Sequence, residues 1–176
     1  WLLDAMAAVA SETFTSTSAP IQFAAVTAFN RSMEIRAYLK HCRRVLKALG
    51  NRLADDLRST GVDVLAPEGG FYLFPDFSGQ RDAWKKIGVA TSSEFCERLL
   101  NDTGVAVLPG ADFGRPAEEL TARLAYVNFD GRSALDAAIE VEDDQALDAS
   151  FLEKNCPEPI EAVRLLCDWV RKNIEG

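Results

Sequence analysis

Histidine is nearly absent from this 176-residue sequence. His41 stands alone between Lys40 and Cys42, with no carboxylate or thiol partner at ligand spacing, so no metal site is expected. Basic charge is also scarce: 19 Lys and Arg face 27 Asp and Glu, a formal net charge of -8. That balance argues against nucleic acid and anionic membrane as partners, both of which demand an electropositive footprint. The longest apolar stretches are broken by charges well short of a bilayer-spanning length, so no membrane span is expected. Nor does a basic segment followed by an apolar core open the chain, so no signal peptide is visible. The four cysteines, Cys42, Cys96, Cys156 and Cys167, lack CxxC spacing and lie in apolar helical contexts. They read as buried free thiols of a reducing, cytoplasmic compartment.

What is present is ordinary globular material. A hydrophobic content of 48% excludes wholesale disorder and supplies a core for one large domain, or a domain with attached helices. The first residue is Trp, and WLLDAMAAVA starts abruptly in a helical pattern. A cut chain looks like that, as does a processed or engineered terminus. Ser18 followed by Pro20 predicts a helix start, with a hydroxyl to cap and a proline in the first turn. Asn30 is a place for that helix to break or bend. A long helix is predicted over 31–59, on the stripe Ile35, Tyr38, Leu39, Cys42, Val45, Leu46, Leu49, Leu53 and Leu57, ending at Gly61.

Beyond it the pattern changes. VDVLAP, GGFYLFPDF, VAVLPG and ARLAYVNF predict four short strands, and GQRDAWKKIG reads as a polar loop. Thr91-Ser-Ser-Glu94 is a capping box opening a helix that ends near Gly104. Asp130 caps a further helix through Ile139, the run EVEDD reads as a solvated helix end or loop, and a last helix follows Pro157-Glu-Pro159. Few strands among many helices give an α+β layer structure.

One residue breaks the pattern. In LTARLAYVNFDG, strand periodicity puts Arg123 on one face with Ala125, Val127 and Phe129, while Leu124 and Tyr126 point the other way. Neither face is polar enough to be a solvated surface, and an unpaired charge is costly to bury. A fixed Asp or Glu partner, or a side chain reaching out from a strand end, would each satisfy it.

Four stretches in order, SAPIQFAAVTAF (18–29), PEGGFYLFPDF (67–77), GVAVLPGADFG (104–114) and ARLAYVNFDG (122–131), resemble the C-terminal portion of class I/II pyridoxal-phosphate-dependent aminotransferases, of the aspartate-aminotransferase-like fold type I. The resemblance implies the small C-terminal domain of that fold: a short mixed or antiparallel sheet packed with helices, preceded by a long connecting helix. Residues 1–30 would end the large cofactor domain, 31–60 form the connecting helix, 61–141 the small domain, and 142–176 a C-terminal helical extension. It also implies a role for Arg123, which occupies the place of the arginine that binds the substrate α-carboxylate. A planar fork of donors that stays charged at any working pH suits that role. Pro109 and Gly110 would shape a turn that brings the following loop beside the site, a purely structural turn being the equal alternative. Gly69 and Gly70 read as architecture, and 11–18 resembles the segment that approaches the partner subunit's site in the family's dimers.

In that family the Schiff-base lysine follows a Ser-x-Ser/Thr context. Lys40, Lys47, Lys85, Lys86, Lys154 and Lys172 all lack it and read as surface residues, so no catalytic residue and no cofactor-binding residue is assigned here. The expectation is therefore a C-terminal part of an enzyme that uses pyridoxal 5'-phosphate to move an amino group between an amino acid and a 2-oxo acid, dimeric when intact and inactive as this piece. The alternatives are a self-standing, non-catalytic structural or interaction domain, and another fold type I enzyme such as a lyase or acyltransferase.

Overall fold

The computed structural model describes residues 1–13, 16–30 and 32–175, the side chain of Glu175 excepted. The fold is α+β: eight helices and a three-stranded antiparallel sheet among the described residues. The chain divides into two compact units, residues 1–40 and 41–176. No helix among the described residues is long and apolar enough to cross a membrane.

The first unit holds α1 (Leu2–Thr13) and α2 (Ala19–Ala28), neither with a buried residue. Trp1, Leu3, Phe23, Val26 and Phe29 are all exposed. Pro20 lies in the first turn of α2 as expected, but the Ser18 hydroxyl makes no capping bond; Ser18 serves through its carbonyl, which accepts from Gln22 N. The helix stops at Phe29, just before Asn30.

Helix α3 (Met33–Arg58) runs through the division. At 1.5 Å per residue it is roughly 39 Å long. Only its later turns are buried: Val45, Leu49, Gly50, Leu53, Ala54 and Leu57 are covered, whereas Tyr38 and Leu39 of the expected stripe are exposed. Gly61 ends the path in the left-handed region (φ 80°), its amide donating back to Arg58 O. Gly50 has a packing reason. A Cβ there would stand 2.7 Å from the Tyr126 hydroxyl oxygen and 2.7 Å from Pro67 Cγ.

The sheet is smaller than the sequence suggests. Strands β1 (Tyr72–Leu73), β2 (Leu108–Pro109) and β3 (Ala122–Ala125) are ordered β1-β3-β2, with Tyr72 opposite Ala125, Leu73 opposite Leu124, Leu108 opposite Arg123, and Pro109 opposite Ala122. VDVLAP forms no strand and contributes a single bridge, Asp63 to Asp76. Prolines at 75 and 109 remove ladder donors and keep the pairings short. One face of β3 is core: Ala122, Leu124 and, just beyond, Tyr126 are buried.

GQRDAWKKIG is not a loop. It contains a short 3-10 turn (Ser78–Gln80) and α4 (Arg81–Lys86), anchored by a fully buried Trp84. Six residues are too few to show a helical stripe, so one aromatic holds what periodicity could not reveal. Trp84 stacks on Trp169 at 5.3 Å between centroids, and Phe95 packs edge-on to both. The indole nitrogens are satisfied, Trp84 Nε1 by Phe77 O and Trp169 Nε1 by Asp102 Oδ2, each at 2.9 Å. Trp169 belongs to α8 (Pro157–Glu175), which follows α7 (Ala149–Asn155).

Helix α5 (Ser92–Thr103) carries both halves of its capping box: Thr91 Oγ1 accepts from Glu94 N, and Glu94 Oε2 accepts from Thr91 N. Asp130 caps α6 (Gly131–Ile139) through two amides. The acidic run after α6 does expose its side chains, but its backbone is gripped. Arg44 donates to the carbonyls of Ala138, Val141, Glu142 and Gln145 at 2.8–3.1 Å, closing off orphan acceptors at the helix end.

Gly50→Ala tests the packing. Helix propensity alone would stabilise by about 1 kcal/mol, but a methyl pressed on Tyr126 and Pro67 costs about 1–3 kcal/mol. Urea unfolding should show a lowered midpoint; a raised one would mean the contact yields freely.

Candidate functional site

Arg123 sits on the central strand, opposite Leu108 and two residues from the Tyr72–Ala125 pair. Its inward neighbours are the sequence-adjacent Ala122 and Leu124, so alternation turns its side chain to the outer face of the sheet. That face is not dry in this chain, which corrects the expectation of burial on both sides. Ala125 and Val127 are exposed, Phe129 and Arg123 half-buried. The missing cover lowers the cost of an unpaired guanidinium without making its surroundings polar.

Those surroundings are aromatic. Arg123 Cζ lies over the Tyr72 ring, 4.5 Å from its centroid, and over the Phe113 ring at 4.3 Å. Phe71 packs against Tyr72 (4.3 Å) and Phe74 meets Phe113 edge-on (6.1 Å). The two rings reach Arg123 from opposite sides of β3, Tyr72 on β1 and Phe113 at the end of the 3-10 turn that follows β2. Among the described residues, no carboxylate comes within 4.0 Å of the guanidinium and no hydrogen bond uses it. Arg115 is a contrast: it forks onto Glu119, Nε at 2.8 Å and Nη2 at 2.6 Å, beside a shallow hollow of about 250 Å³ lined also by Asp63, Asp76 and Phe74. Arg115 is already paired, and Arg123 keeps its donors.

The PG turn builds this arrangement. Pro109 pairs with Ala122, Gly110 N donates to Thr121 O at 2.8 Å, and the 3-10 turn Gly110–Phe113 then carries Phe113 across to Arg123. Gly110 lies so close to Thr121 that any Cβ would collide with its Oγ1. That hydroxyl is buried and has no hydrogen-bond partner among the described residues. Gly114 closes the turn with φ 78°. Gly70 also takes a left-handed angle (φ 70°) before β1, whereas Gly69 does not.

The other candidates fall away from this site. All six lysines are exposed. His41 is half-buried with an unpartnered Nδ1, and no group of metal-ligating side chains occurs among the described residues. The cysteines are free thiols, Cys42 half-buried and the other three buried. Burial pushes Cys96 up to about 12, with Asp112 adding to it, and Cys156 and Cys167 up to about 11. None of these three is an activated nucleophile. In the stretch 11–18, residues 14 and 15 lie outside the described residues; Ser11 and Thr13 bond back to carbonyls of α1. Sequence reasoning singles out Arg123 and the PG turn but not Tyr72 and Phe113, whose only signal is aromatic residues in the runs flanking the arginine strand.

Residues 1–128 match the family described as aminotransferase class I and II, and the chain belongs to that family. The aspartate aminotransferase of Bacillus sp. (strain YM-2) is 32% identical over 126 residues, 71% of this chain and 30% of that protein. The structure of aspartate aminotransferase from Thermus thermophilus with maleate aligns at TM-score 0.56 and 29% identity, over 79% of this chain and 33% of that one. The aromatic aminotransferase from Pyrococcus horikoshii OT3 shares the fold at TM-score 0.62 over 98% of this chain and 36% of its own, at 24% identity. The chain thus spans about a third of the length of the relatives it matches.

Two outcomes are expected. Gly110→Ala should destabilise by about 1–3 kcal/mol through the forced collision, read as a lower urea midpoint; an unchanged midpoint would mean Thr121 can move aside. The thiols hold their protons more tightly folded than unfolded, so their contribution is complete below about pH 9 and fades as pH rises toward about 11–12. Thermal melts should show Tm falling across that window, and Cys96, Cys156 and Cys167 should resist iodoacetamide at pH 8.5 until the protein unfolds; rapid native labelling of these three would contradict the burial.

Proposed function

We propose that this member of the class I and II aminotransferases is the C-terminal part of a pyridoxal-phosphate-dependent enzyme that moves an amino group between an amino acid and a 2-oxo acid, with Arg123 binding the α-carboxylate. The observation that carries the reading is an arginine with no counter-ion among the described residues, set on an open, aromatic-lined sheet face. A guanidinium fork takes both oxygens of a carboxylate at once, which fixes the rotation of the substrate about its Cα bonds. A protein uses such a residue where the counter-ion arrives and leaves with each turnover.

The residues of this chain do not fit the cofactor itself. Every lysine is exposed on a helix, and none follows the Ser-x-Ser/Thr context of the family's Schiff-base lysine. The chain's share of the chemistry is to grip and orient the carboxylate. The unburied apolar residues of α1 and α2 support the same reading, because helices with Trp, Leu and Phe in water call for cover that the first unit does not provide. The intact enzyme is taken to be a cytoplasmic homodimer without nucleic-acid or membrane partners. The names of the relatives favour amino-acid substrates and do not choose one.

In the intact protein, assayed against a panel of amino acids with 2-oxoglutarate and pyruvate as acceptors, Arg123→Ala should lower kcat/KM by roughly 30- to 5,000-fold, about 2–5 kcal/mol for truncating one partner of a close charge pair. The 176-residue chain alone, mixed with pyridoxal phosphate, should yield no transamination product. An unchanged kcat/KM for the variant removes the assigned role, and turnover by the isolated chain removes the division of labour.

A further inference from the structure

Arg123 poses a problem that carboxylate binding alone does not solve. A long, flexible cation that waits for its partner has two easy escapes: out into water, or onto a neighbouring acid. The acidic balance of this chain makes the second cheap. Either would cost affinity each time the side chain had to swing back, since the entropy of ordering a rotamer-rich group is lost at binding. Hydrogen bonds from the protein could hold it, but each would occupy a donor the carboxylate needs.

The geometry points to Tyr72 and Phe113 as positioning residues for Arg123, holding the guanidinium through the faces of their rings while its N–H groups stay available for the carboxylate. The inference rests on the reading of Arg123 given above. Cζ lies 4.5 and 4.3 Å from the two centroids, inside the range where a ring quadrupole attracts a cation. Both contacts are made to ring faces, which accept no conventional hydrogen bond from the five guanidinium donors. The two rings come from different elements on opposite sides of β3, so the cation is confined laterally by β1 and by the turn after β2.

Each ring is itself braced. Phe71 packs on Tyr72, and Phe74 meets Phe113 edge-on. The Gly110–Thr121 contact and the Gly110 N to Thr121 O bond fix the turn that carries Phe113. Tyr72 and Phe113 stay about 40% exposed, more than core packing alone would leave them, so their placement is not explained by burial. These rings act on the substrate through Arg123 and form no bond in the reaction.

The test is a mutant cycle in the intact protein, read by kcat/KM with the best amino acid of the panel and by the inhibition constant of propanoate, a carboxylate without an amine. Tyr72→Leu and Phe113→Leu should each weaken both by about 2- to 5-fold, as expected of one exposed cation–π contact, through KM more than kcat. Tyr72→Phe should restore the parent values. Pentafluorophenylalanine at 113, nearly the same shape with a reversed quadrupole, should behave like Leu without a change in Tm. In an Arg123→Ala background the same ring changes should have no further effect. Equal losses with and without Arg123, or a pentafluoro variant that matches the parent, would overturn the positioning role. A harmless Arg123→Ala would instead overturn the reading of the arginine.

Discussion

The sheet face around Arg123 is organised by one constraint: a charge that can never be switched off must be kept near apolar groups without being neutralised. Guanidinium stays protonated throughout the working range, so the protein cannot escape the problem by titration. It solves it with two rings at 4.3 and 4.5 Å and no carboxylate within 4.0 Å among the described residues, while Arg115 is left to Glu119. Half-exposure keeps the cost of the unpaired state modest, and the aromatic surroundings keep the environment less polar than water, where the carboxylate of the proposed function would meet a stronger attraction.

The remainder of the second unit reads as the frame for that arrangement. The inner face of β3 is seated by Leu124 and Tyr126, and Tyr126 reaches α3 only because Gly50 offers no side chain. The outer strands are two residues long, yet neither is idle. Strand β1 presents Tyr72, and β2 ends in the Pro109–Gly110 turn that delivers Phe113. Behind them the Trp84–Trp169 stack joins α4 to α8, and Arg44 ties the end of α6 to α3 through carbonyl oxygens. Rigidity at the back places a flexible cation at the front.

Much of this was legible in the residues. Caps were the clearest: Thr91 with Glu94, Asp130 ahead of α6, and Gly61 and Gly104 at helix ends all act as local chemistry dictates, because a cap needs only its own neighbours. The alternation in ARLAYVNF assigned the faces of β3 correctly, but not how far the outer face is covered, which depends on what packs across it. Tertiary contacts account for the errors. Trp84 turned a charged stretch into helix by packing against Trp169 and Phe95. The aromatic pair at the site was invisible for the same reason: Tyr72 and Phe113 are 41 positions apart and meet only at Arg123.

The most direct test is a crystal structure of the intact protein with an amino-acid substrate or unreactive analogue bound. Both oxygens of the α-carboxylate should lie about 2.7–2.9 Å from Arg123 guanidinium nitrogens, with the Tyr72 and Phe113 rings still over its carbon. A carboxylate held by other groups, or Arg123 closed onto an acidic side chain of the protein with substrate in place, would contradict the account.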